Sequence, residues 1–142
     1  MDALRHRRPG TGHAAAVGAV LDRALGTADL EGFHRGVGEV EALRSRLLRM
    51  WADYEDAIAA VLAEEAGRSE PDPGLRLAAA QLIAIARSFT SPEVRELARR
   101  NPAAETEVLR GWLARAVAQV DGGLAGALSR DHPSRRARQA NA

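Results

Sequence analysis

The chain has 142 residues, of which 46% are hydrophobic, 27% charged and 4% aromatic, enough for one domain with one core and too balanced in charge for a disordered polymer. It has no cysteine, and all 20 of its basic residues are arginine. This excludes disulfide frameworks, thiolate metal sites and thiol nucleophiles, and with them any Schiff-base or P-loop lysine.

Charge is uneven along the chain. Residues 1–8 carry three Arg against one Asp and residues 130–142 carry four against one, while the 13 Arg between them face 17 acids. The expected organisation is an acidic folded body over 13–128 between two basic, solvated tails, 1–12 and 129–142. Arg5, Arg7, Arg8, Arg135, Arg136 and Arg138 are suited to phosphate contact, but no aromatic is interleaved for base stacking.

Taken in order, Ala14 to Leu25 reads as a helix stopped by Gly26. A weaker helix from Ala28 to Val37 is interrupted by Gly32 and Gly36. From Val40 to Ala66, apolar residues fall three and four apart at Val40, Leu43, Leu47, Met50, Trp51, Tyr54, Ile58, Val61 and Leu62, which predicts one long buried stripe. Gly67 supplies the stop, and 69–74 form a loop. Asp72-Pro73, Ser91-Pro92 and Asn101-Pro102 are each a capping side chain before a proline, and they predict three helix starts. Between Leu77 and Ala86 the sole polar residue is Gln81, so this helix needs cover on both sides. The last helix, Ala103 to Leu128, carries its own apolar stripe. No alternating strand pattern occurs. The expected fold is all-α, an antiparallel helical bundle.

Little in the chain suggests catalysis. Its four His are His6, His13, His34 and His132, with no i, i+4 pair to hold a metal. Asp53, Glu55 and Asp56 read as a solvated face, and no nucleophile elbow is present. The expectation is a non-enzymatic protein without cofactor or metal. No apolar run approaches the ~20 residues of a bilayer span, and no signal segment follows the N-terminal arginines. The cytoplasm is the expected compartment, with no membrane partner.

The aromatics offer a better lead. Trp51, Tyr54 and Ile58 share the long stripe, with Phe33 in the weak helix and Phe89 at the end of the apolar one. They are either core or the wall of a small-molecule pocket whose polar groups are the Tyr54 hydroxyl and the Gln81 amide.

The stretch Leu43-Arg44-Ser45-Arg46-Leu47-Leu48-Arg49-Met50-Trp51-Ala52-Asp53-Tyr54-Glu55, continued by Ala57 to Gly67, resembles the long central helix of the C-terminal domain of TetR-family regulators. Leu75 to Ala84 and Ser91-Pro92-Glu93-Val94-Arg95 are similar to the next two elements of actinobacterial members, including those whose C-terminal domains bind acyl-CoA-like ligands. The resemblance spans residues 13 to 128. It implies an effector-binding domain, with a small hydrophobic effector held around Phe33, Trp51, Tyr54, Ile58, Gln81 and Phe89. It also implies dimerisation through the last two long helices and DNA binding through an N-terminal helix-turn-helix. The residues before Ala14 leave no room for that module, so DNA binding is expected only through a module this chain lacks. The alternative is a free-standing interaction protein that forms heterodimers with full-length regulators.

The expected homodimer interface comprises Ile83 on the apolar helix and Trp112, Leu113, Ala116, Val117, Val120 and Leu124 on the last one. Ala114, Ala118, Gly122, Ala125 and Gly126 are small enough to let two helices approach closely.

Overall fold

The computed structural model describes residues 2–25 and 41–129. Phe33, the expected helix over 28–37 and the tail from 130 onward lie outside the described residues. The described residues form six α-helices and no strand, so the fold is all-α. In chain order they are α1 (Asp2–Arg5), α2 (His13–Leu25), α3 (Glu41–Glu65), α4 (Pro73–Phe89), α5 (Pro92–Arg99) and α6 (Glu105–Ser129), with a 3-10 turn at Pro102–Ala104 before the last.

The turn between α3 and α4 follows from local chemistry. Gly67 adopts φ +67°, a left-handed conformation that costs a glycine nothing because it has no Cβ to clash. Its N–H donates to Glu64 O at 3.0 Å and the Arg68 N–H to Ala63 O at 2.9 Å, the paired bonds that satisfy the last carbonyls of a helix. Four residues on, Asp72 caps α4: its Oδ1 accepts from the Leu75 N–H at 2.9 Å, with Pro73 in the first turn. Ser91 does the same for α5, its Oγ accepting from the Val94 N–H at 3.4 Å. Both predicted starts are therefore present. The third differs. Asn101 makes no cap bond and Pro102 opens the 3-10 turn, so α6 begins only at Glu105. The Asn101 amide instead donates backward to Leu97 O at 3.3 Å, closing the end of α5.

Helix α4 is the centre of the bundle. It packs against α3, α6 and α2, with α5 at its C-terminal end. Leu75, Ala78, Ala79, Leu82, Ile83, Ile85, Ala86 and Phe89 are all buried. The chain's own helices thus cover one broad side of α4, but not the two-sided cover its composition leads one to expect: Leu77 is 61% exposed and Ala84 is exposed as well. Helix α2 lies antiparallel to α6, as three contacts show when read along it: Gly12 meets Asp121, Gly18 meets Val117 and Asp22 meets Arg110. A Cβ built on Gly18 would stand 2.6 Å from Val117 Cγ2, so the missing side chain is what lets the two helices come this close.

Residues 2–12 correct the expectation of a solvated N-terminal tail. Leu4 is 4% exposed and belongs to the single hydrophobic cluster that also contains Ala14, Leu62, Leu75 and Leu82. The Arg7 guanidinium donates to Leu4 O at 3.1 Å and to Thr11 O at 3.2 Å, which folds the segment back on itself. One leucine finding an apolar seat, with its turn tied by one arginine, outweighs the solvation of the surrounding charges.

Candidate functional site

Two aromatic pairs form where the sequence points to one pocket. Trp51 and Tyr54 sit one turn apart on α3 and meet edge to face, with ring centroids 6.1 Å apart and planes at 62°. Phe89 of α4 meets Trp112 of α6 at 6.0 Å. Ile58 and Phe89, 4% and 5% exposed, are packed core residues, and Gln81 is half-buried on α4. Tyr54, expected on the buried stripe, is 44% exposed.

The stripe itself explains this split. In the C-terminal half of α3, Ile58, Ala59, Val61, Leu62 and Ala63 are buried. In its N-terminal half, the residues that continue the same face are only partly covered. Leu47 and Trp51 are half-buried, while Leu48 is 51% exposed. Helix α3 has 25 residues and its antiparallel neighbour α4 has 17. At 1.5 Å per residue, α3 outruns α4 by about two turns. Among the described residues, large apolar side chains are therefore left at one end of the bundle without full cover.

The expected dimer residues are placed differently. Ile83 and Leu113, 5% and 4% exposed, are covered within the chain itself and belong to its core. A partner has nothing left to bury there. Trp112, Ala116, Val117 and Val120 are half-buried and pack inward against the same cluster. The outward face of α6 carries Ala114, Ala118 and Gly122. Leu124 lies on α6 beyond the residues whose side chains are described.

A charged cluster that the sequence reading does not anticipate joins the N-terminal segment to the end of α3. Glu65 accepts from Arg7 through both carboxylate oxygens, the Nη2 to Oε2 bond being 3.0 Å, and His13 Nε2 stands 2.8 Å from Oε2. Arg5 lies 3.7 Å from the neighbouring Glu64. Partial burial pushes the Glu65 carboxyl up, but the hydrogen bonds and charges of Arg7 and His13 outweigh it and hold the group below the usual carboxylate range. The cluster edges an open groove of about 460 Å³ along Arg7 to Thr11. A second groove of about 440 Å³ runs between α5 and α6 over Val94, Leu97 and Trp112, rimmed by Glu93, Glu96 and Arg100. Of the aromatics expected to line a pocket, neither groove includes one.

Asp53 and Asp56 are exposed, Glu55 is half-buried, and Asp56 accepts from Arg76 at 3.3 Å. Asp53 and Asp56 thus lie on the solvated face expected of all three, and Glu55 is partly covered. Among the described residues no group of three potential ligands converges to hold a metal ion, and no helix is long and apolar enough to cross a membrane. Compared with protein-family models, with curated proteins and with solved structures, the chain matches none.

Proposed function

We propose that the chain contains the effector-binding and dimerisation domain of a TetR-like regulator. The observation that carries this reading is the half-covered end of α3. Trp51 and Tyr54 stand edge to face with Leu47 and Leu48 beside them on a stripe that is core elsewhere. Apolar surface with a phenolic hydroxyl at its edge suits a small hydrophobic effector, which gains from leaving water and is oriented by one polar group. The element order also supports the reading, because a long central helix, two following helices and a long last helix are what the resemblance implies.

The test is a fluorescence titration in a Trp112→Phe background, so that Trp51 is the sole indole. Hydrophobic carboxylic acids and acyl thioesters are added in turn. A saturable blue shift that Tyr54→Ala weakens is the expected result. Emission that stays unchanged across the whole series would overturn the reading.

A further inference from the structure

We infer that Glu64 and Glu65 act as an internal decoy for phosphate, occupying arginines of the N-terminal segment that otherwise grip a DNA backbone. Four consecutive residues, Arg5, His6, Arg7 and Arg8, present three guanidinium groups, and the segment 1–8 carries a net positive charge. Two of the three are already engaged. Arg7 is held by both oxygens of Glu65, and Arg5 lies 3.7 Å from Glu64. A guanidinium fork fits a carboxylate and a phosphate with the same two-point geometry, so Glu65 fills the place that a phosphate would take at Arg7, and Glu64 stands by Arg5 in one looser contact.

The competition is a close one. The Arg5–Glu64 pair has side chains 51% and 72% exposed, and pairs this open in water contribute little. Arg7–Glu65 is more sheltered, with side chains 24% and 31% exposed, and His13 adds a third contact to the same carboxylate. Duplex DNA offers a dense row of phosphates and releases counterions on binding, a gain that grows as salt falls. At low salt the arginines therefore transfer to the duplex, and at physiological salt Glu64 and Glu65 retain them. Nothing in the segment reads bases, so contact is with the backbone alone. The charged groups around Glu65 are Arg7 and Arg8 of the segment, which line the same groove, and His13 of α2.

The experiment measures anisotropy of labelled duplexes of unrelated sequence over a salt series. Glu64→Gln/Glu65→Gln is expected to bind roughly five- to thirtyfold more tightly than wild type at low salt. The log–log salt slope should exceed that of wild type by about two over the salt range in which wild type retains its arginines, one unit for each, and the two slopes should converge at low salt. Glu105→Gln/Glu107→Gln makes the same charge change far from the segment and should leave affinity near wild type. Adding Arg5→Gln/Arg7→Gln to the first variant should abolish its gain. An equal gain in the distant control, or a gain that survives loss of the arginines, overturns the inference by assigning the effect to net charge. If the first variant fails to fold, hydrogen exchange on wild type decides. DNA at low salt should speed exchange of the Thr11 amide, which donates to Arg8 O at 3.0 Å in the closed segment. An unchanged rate there counts against the decoy.

Discussion

Gly18 shows how much one missing side chain sets in this fold. The methyl group of an alanine there would lie 2.6 Å from Val117 Cγ2, well inside van der Waals contact, and Val117 is itself packed against the core cluster. Alanine favours a helix over glycine by about 1 kcal/mol, but overpacking a core costs about 1–3 kcal/mol. Gly18→Ala should therefore lower the melting temperature, and Gly18→Ala/Val117→Ala should recover part of the loss; a single variant at least as stable as wild type would show that α2 and α6 are free to separate. Glu65 supplies a second test at this scale. Its carboxyl titrates below the usual range in the folded chain, so the stability it contributes is present above the ordinary carboxylate pKa and is lost as pH falls through the lower folded value. Over that acid window the wild-type melting temperature should fall more steeply than that of Glu65→Gln, as read by circular dichroism. Parallel curves would mean that Arg7 and His13 contribute nothing through this group.

At the scale of elements, legibility followed sequence distance. The Asp72 and Ser91 caps were readable because the side chain and the N–H it accepts from lie three residues apart, within one turn. Gly67 was readable for the same reason. Asn101 carries the same signal and misleads, since its amide found the Leu97 carbonyl behind it and left the helix ahead to start without a cap. Periodicity gave the buried face of the C-terminal half of α3 but not what covers it, while α4, which reads as apolar all round, leaves Leu77 61% exposed. Ile83 and Leu113 have the pattern of residues that need cover, and whether α2 or a second chain provides it is a tertiary fact. The Glu65 cluster could not be read at all, because its partners lie 58 and 52 residues away. The one signal for an ordered N-terminal segment is Leu4, a single apolar residue among charges, which is too little for any periodic argument. The aromatic end of α3 is intermediate. Its stripe is plain in sequence, but its incomplete cover depends on α4 being the shorter helix.

For the molecule as a whole, the question is what α6 does with its outer face. Adjacent residues on a helix point about 100° apart, and Val117 and Ala118 divide accordingly, the first against Gly18 and the second toward solvent. Ala114, Ala118 and Gly122 follow at intervals of four and so share one exposed side of the helix. A Cβ built on Gly122 would meet nothing within 4 Å. Leu113 belongs to the chain's own core and Trp112 packs against it, so the homodimer proposed with the effector-binding reading has this small-residue face as its candidate contact. The two faces can be tested separately. Val117→Asp places a carboxylate against α2 at a half-buried position, where part of its solvation is lost, and should lower the melting temperature at every protein concentration. Ala118→Glu places like charges across a symmetric contact. It should bring the mass in light scattering from twice the chain's 15.2 kDa to that value, and leave a melting temperature that no longer depends on concentration. If wild type already scatters as a single chain at micromolar concentration, the dimer is lost from the proposal. The proposed effector site at Trp51 and Tyr54 is independent of that result, because both residues lie on α3.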